Sequence, residues 1–305
     1  MNYRQSIPLR LIALFLFLPP PREAHSWGFF AHKRINEMAV FTMPPSLIGF
    51  YKQHLTYLVS HATDADKRRY ADPEESCRHF FDSEFYVTQS FDSIPRRWTD
   101  ALNRYGKDSL RAHGIVPWYI ERMVHRLEKA FREENQALIL HYSADLGHYV
   151  ADAHVPLHTT RNYNGQLTNQ TGIHAFWESR IPELNAESYD YFAGRATYIE
   201  NVSKAVWSAV VASYQVVDSV LCLEADLTQR FAPGLKYSYE TRGTVLQRVY
   251  SESYTEAYNK SLGDMVERRM IQSIRLTGCL WFTAWVNAGQ PDLSKLDATQ
   301  AVDSL

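Results

Sequence analysis

Between residues 148 and 158 the chain reads HYVADAHVPLH, and few stretches leave a polypeptide less choice. On a helix, His148 and Asp152 stand at i and i+4, so both side chains project from one face toward a common point. Pro156 cannot continue that helix, which lets His158 return from another direction. Sixteen residues further on, His174 and Glu178 repeat the i, i+4 pairing of a nitrogen and a carboxylate. A lone HxxxD is more often a surface pair than a ligand pair. Here five potential ligands fall within 31 residues around one helix end, the mixed nitrogen and oxygen shell that zinc accepts.

The frame around that segment has a helical period. Residues 30–42 predict a helix stopped by Pro44-Pro45, and 46–60 predict a second. Residues 61–78 are polar and turn-rich. Pro117 opens a helix that carries Ile120, Met123, Val124, Leu127 and Phe131 on one side, and 135–154 follow up to Pro156. The stretch 159–172 reads as a polar loop. From about 186 onward amphipathic runs recur, closing with 262–287. Alternating strand patterns are nearly absent, as are repeats and linkers. With 45% hydrophobic and 22% charged residues, the chain predicts one all-α, multi-helix domain.

The first 26 residues belong to something else. Arg4 and Arg10 flank the start of an apolar run, Leu11–Leu18, and a polar stretch ends in Ala24-His25-Ser26. Eight apolar residues fall short of the roughly 20 needed to span a bilayer, and Ala24 with Ser26 fits a signal-peptidase site. The expectation is a signal peptide over 1–26, a secreted or periplasmic protein, and a domain over 27–305 that begins at Trp27. Beyond the cut remain 29 basic and 33 acidic residues, a charge of −4 with histidines neutral, which alone does not indicate a nucleic-acid binder. Three cysteines, Cys77, Cys222 and Cys279, allow one disulfide and no disulfide scaffold. Asn169, Asn201 and Asn259 match glycosylation acceptors, relevant only in a eukaryotic secretory pathway.

Upstream, Asp64-Ala-Asp66-Lys-Arg68-Arg69 precedes Arg78-His79-Phe80-Phe81-Asp82; in isolation these are ordinary charged turns. In sequence order, however, the chain has Trp27 behind a leader, then His32, an aspartate, HFFD, HxxxDxxxPLH and HxxxE. In this it resembles the superfamily of bacterial zinc-dependent phospholipase C and the single-strand-specific zinc nucleases of fungi and plants. The match runs from residue 27 to 178, and the closing helix is also similar. The resemblance implies a phosphodiesterase with three zinc ions. Trp27, through its free α-amine and carbonyl oxygen, would hold one ion with His32 and Asp152. Asp152 would bridge to a second, held also by an upstream aspartate, His79 and His148, and His158, His174 and Glu178 would hold the third. Family spacings bracket both Asp64 and Asp66. Asp66 is favoured, because Arg69 then falls where the nucleases carry a basic, phosphate-facing residue, which makes Asp66 and Arg69 the expected catalytic pair.

The substrate vote is divided. Trp27-to-His32 spacing, His154 within DAHVPLH and the 279-residue mature length look like the nucleases. Glu178 in place of aspartate looks like the phospholipases. So does the short connection from His158 to His174, with Asn162 near its start. The reading leans to phospholipase C-like chemistry, with a single-strand endonuclease as the alternative and a non-catalytic zinc-binding protein as a remote third. Phe80 and Asp82 would stack on and hydrogen-bond a base, and Asn162 would contribute from the loop. The partners expected are the phosphodiester itself, phospholipid or single-stranded nucleic acid, and at most transient contact with a membrane surface, with no stable protein partner. His141 and Asp145 extend the ligand face of the helix and read as a supporting pair rather than a fourth ion site.

Overall fold

The computed structural model describes residues 28–296; Trp27 and the leader lie outside them. Helix α1 (Phe29–Val40) is followed by α2 (Pro45–Gln53) and α3 (Leu55–Ser60). A break at His54, with φ −106° and ψ 19°, divides what the sequence predicted as one helix. Four short helices follow: α4 (Asp64–Arg68), α5 (Ser83–Tyr86), α6 (Trp98–Tyr105) and α7 (Lys107–His113). Then come the two long central ones, α8 (Val116–Arg132), with Pro117 in its first turn, and α9 (Gln136–His154), capped by Asn135 Oδ1, which accepts from Leu138 N–H at 3.1 Å. The loop over 160–172 leads into α10 (Ile173–Ala175), which runs through a π-helical turn at Phe176–Arg180 into α11 (Ile181–Asn185). Helices α12 (Val202–Tyr214), α13 (Val217–Arg230), α14 (Glu252–Leu262) and α15 (Met265–Asn287) complete the all-α domain.

One element escaped the sequence reading. Strands β1 (Tyr237–Arg242) and β2 (Val245–Tyr250) form an antiparallel hairpin, Tyr237 opposite Tyr250. The hairpin is mostly exposed, so no burial pattern marks it. It is tied to the π turn, since Arg180 Nε donates to Tyr250 C=O at 3.1 Å and Arg180 Nη1 to Glu240 at 3.0 Å. The three cysteines all carry free thiols, so none of the allowed disulfides is formed.

Helix α9 is buried on every side from Ser143 to His154, as a helix must be when apolar residues run all round it. It packs against α1, α8, α12 and α15. One close approach decides the site. A Cβ at Gly147 would sit 1.8 Å from Asn36 Oδ1, so only glycine admits α1 there. Asn36 Nδ2 then donates to the carbonyls of Ala144 (3.1 Å) and Leu58 (3.3 Å), joining α1, α3 and α9. As a result His32 of α1 stacks on His148 of α9, ring centroids 3.9 Å apart.

The far end of α9 is held by a buried cation. Arg269 is 4% exposed; its guanidinium donates to the carbonyls of His154 (2.9 Å) and Ala209 (3.1 Å) and to Ser213. The positive group completes the last carbonyls of the helix, although burial pulls its own pKa down to about 10. Replacing it strands those carbonyls. Arg269→Leu is expected to lower the unfolding free energy of the metal-loaded protein by about 3 kcal/mol, read from denaturant titration, with Arg269→Lys recovering part of the loss.

Candidate metal centre

The i, i+4 spacings bring the histidines and carboxylates together as the sequence predicts. Asp152, fully buried, lies at the middle. Its Oδ2 is 2.9 Å from His79 Nδ1 and 3.3 Å from His148 Nε2. Its Oδ1 is 3.5 Å from His32 Nε2 and 3.9 Å from His158 Nε2. Asp66 Oδ1 closes the second group, 3.7 Å from His148 Nε2 and 3.8 Å from His79 Nδ1. The last group is compact: Glu178 Oε2 stands 3.0 Å from His174 Nε2 and 3.4 Å from His158 Nε2, and those two nitrogens are 3.1 Å apart. Three groupings have the right spacing for an ion: His32, Asp66 and His148; His79, His148 and Asp152; and His158, His174 and Glu178.

These distances suit zinc. Donors about 2.0–2.1 Å from a tetrahedral ion stand about 3.4 Å from one another. The ring nitrogens are also turned correctly. His148 Nδ1 pairs with Ala62 C=O (2.9 Å), His158 Nδ1 with His79 C=O (2.6 Å) and His174 Nδ1 with Tyr163 C=O (3.0 Å). Each such N–H donation leaves the Nε2 lone pair facing the cluster. His79 is reversed, with Nδ1 inward and Nε2 3.4 Å from Glu75 Oε1. Both oxygens of Glu178 are buried without a hydrogen-bond donor, which is costly for a carboxylate unless a cation stands beside it.

The buried carboxylates draw positive charge to the centre of the cluster. Burial would lower the pKa of His148 and of His158, yet Asp152 outweighs it and pushes each up to about 9. The same histidines hold Asp152 well below the usual carboxylate range, against its own burial. His32 goes the other way: burial and the neighbouring His148 keep it neutral. A divalent cation supplies that positive charge and takes deprotonated ligands.

Behind His79 lies a charged brace that sequence reasoning reached only in part. Burial would raise the Glu75 carboxyl, but His79, Tyr149 and Arg68 bring it down to about 2. Arg68 Nη2 donates to Asp145 at 2.6 Å, and His141 Nε2 lies 3.6 Å from the same oxygen. Asp145 is thus engaged by arginine, in keeping with the supporting role expected of it. His154 faces away from the cluster, bonded through Nδ1 to Val150 C=O at 2.7 Å.

A cleft of about 350 Å³ opens at His79, His158 and His174. Arg69, Phe80 and Asp82 line it, Arg69 also pairing with Asp66 at 3.1 Å. Asp82 lies 3.1 Å from His113 Nδ1, and burial raises its carboxyl. Asn162 does not line the cleft. It is buried, donating to Thr168 Oγ1 (3.1 Å) and accepting from Leu167 N–H (2.8 Å), so its side chain serves the loop's own folding. The loop presents Arg161 and Tyr163 instead, and His113 supports the rim through Asp82. No local spacing marks these three; the fold brings them there. Trp27, the remaining expected ligand, lies outside the described residues.

Against known protein families, residues 27–281 match the model described as S1/P1 Nuclease. No curated protein matches the chain.

Proposed function

Because the chain belongs to the S1/P1 nuclease family, whose members are zinc-dependent phosphodiester hydrolases, we propose that its clusters hold three zinc ions and that its substrate is single-stranded nucleic acid. Trp27, His32 and Asp152 hold one ion; Asp66, His79, His148 and Asp152 the second; His158, His174 and Glu178 the third. Bound zinc supplies Lewis-acid charge and a water whose pKa falls to about 7. The protein's part is to place the phosphodiester against that charge. Arg69 faces the cleft from the Asp66 side and neutralises charge developing on the phosphoryl oxygens, and Arg161 guides the anion across the rim. Phe80 and Tyr163 offer rings to a base, with Asp82, braced by His113, as hydrogen-bond partner.

The observation that carries the nucleic-acid reading is the cleft lining: two guanidiniums and two exposed or half-exposed rings beside the cluster. Among the described residues, Leu157 and Ala112 are its only aliphatic walls, little for acyl chains. The phospholipase C reading retains Glu178 and the short loop before His174 in its favour. A substrate panel separates them. Zinc-loaded protein should cleave single-stranded DNA and RNA and release no diacylglycerol from phosphatidylcholine vesicles, and a chelator should abolish the activity. Diacylglycerol release without nucleic-acid cleavage would install the phospholipase reading.

The choice between the two upstream aspartates is tested separately. Asp66 is 4% exposed, whereas the Asp64 side chain is 30% exposed and engaged by Lys67 at 2.7 Å, an ion pair of small consequence. Asp66→Ala is expected to lose one ion and about 10²-fold or more in rate. Asp64→Ala should keep its metal content and rate. Metal loss with Asp64→Ala alone would reverse the assignment.

A further inference from the structure

The inner face of α8 is core, as its apolar spacing predicts, but its outer face carries a pattern the metal centre does not use. Arg122, Arg126 and Lys129 are exposed at i, i+4 and i+7, a stripe about 10 Å long at 1.5 Å per residue. With Arg96 and Arg97 they line a cavity of about 640 Å³ whose lining holds one carboxylate, Glu121, and that group accepts from Ser203 at 2.9 Å. Among the described residues, neither Arg97, Arg122 nor Arg126 forms an ion pair with a carboxylate. Lys129 pairs with Glu133 at 3.6 Å, a surface ion pair of small consequence. Like charges one turn apart cost a helix stability, so Arg122 and Arg126 call for an anion.

Three aromatic rings stand among the rest of the lining, beside Thr99, Ile115, His125 and Ser203. Trp98, Trp118 and Tyr119 form its walls, and Arg122 sits 5.7 Å from the centre of the half-buried Trp98 ring. The first turn of α6, which has no side-chain cap, opens on the same space. Rings with interleaved cations suit bases and phosphates of a flexible strand; a lipid surface would call for aliphatic side chains. The cavity also shares a wall with the metal centre. Tyr119 packs edge-on against Tyr149 at 4.9 Å, and Tyr149 lies 5.4 Å from the His79 ring. Ile115 and Val116 N–H donate to Cys77 and Phe80 carbonyls at 2.7 and 3.2 Å, pinning the start of α8 to the segment that bears His79.

We propose that this cavity is a second contact site for the substrate strand, seating phosphates along Arg122, Arg126 and Lys129 and a base against Trp98 while a distant phosphodiester lies at the zinc cluster. The inference rests on the nucleic-acid reading above. It makes affinity depend on strand length: a dinucleotide fills the cleft alone, and a longer strand reaches both sites.

Zinc-loaded Arg122→Glu/Arg126→Glu tests it, since both positions are on the surface and folding can be checked by circular dichroism. KM for a single strand of about 20 nucleotides should rise roughly tenfold, with KM for a dinucleotide and the rate on bis(p-nitrophenyl) phosphate unchanged. An unchanged KM for the long strand overturns the proposal. So does an equal rise for the dinucleotide, which would mean a general field effect, and so does lost binding to phosphatidylglycerol vesicles with oligonucleotide binding intact. Anisotropy with an uncleavable phosphorothioate-linked oligonucleotide separates this from the parent reading. If the wild type binds that strand but cleaves no nucleic acid, the cleft assignment fails, and loss of binding in the variant still upholds the second site.

Discussion

Asp152→Asn is expected to leave about one zinc ion per chain and to reduce the rate on bis(p-nitrophenyl) phosphate by about 10³-fold or more. The reason is geometric. Each carboxylate oxygen faces a different set of nitrogens, His79 and His148 on one side, His32 and His158 on the other. An amide of the same shape keeps one oxygen and turns an N–H₂ toward the other set, so it serves one ion at best and carries no charge. The cluster of His158, His174 and Glu178 has its own carboxylate and should fill independently. Asparagine matches the volume of aspartate, so α9 should keep its packing. Metal counting beside circular dichroism decides the matter, and full zinc content in a folded Asp152→Asn protein would disprove the bridge.

What could be read from the sequence followed the range of the signal. His148 with Asp152, and His174 with Glu178, are pairs one helical turn apart, and Pro156 marks the helix end between them; such spacings need no tertiary knowledge. The long helices α8, α9 and α15 were legible for the same reason. His32 needed the resemblance, because its approach to His148 depends on Gly147 and Asn36, 111 positions apart. Arg161 and Tyr163 reach the cleft only through the folding of a loop, and His113, at the end of α7, bears on it through Asp82; no pattern announces them. Asn162 was misplaced for the converse reason: an asparagine in a polar loop looks available for substrate until the loop's own N–H groups claim it. The hairpin carried a readable sign, the Gly243-Thr244 turn between tyrosine- and valine-rich runs, but without a buried face it has no alternation to support it.

Extending the mature chain by one residue, Met ahead of Trp27, is expected to remove one zinc ion and about a hundredfold or more of the rate. The described structure shows how tightly the chain enters the site. Pro182 has no N–H to offer the Glu178 carbonyl four residues before it, and Gly28 N–H donates to that carbonyl at 3.3 Å. A Cβ at position 28 would meet Ser179 Oγ at 2.5 Å, so the residue after Trp27 is fixed by backbone against the turn that carries Glu178. A free α-amine titrates near pH 8, close enough to neutrality for zinc to displace its proton. One added residue turns that amine into an amide, a poor donor. The indole is a separate matter. Trp27→Ala with a correctly cut terminus keeps the amine and the carbonyl, so it should bind three ions and lose stability only. Metal counting on the two variants, with mass spectrometry to confirm each terminus, separates chelation from packing. Full zinc content in the extended chain would remove the α-amine from the ligand set. Its loss would mean that the uncut precursor is an incomplete enzyme, activated by the cleavage that exposes Trp27.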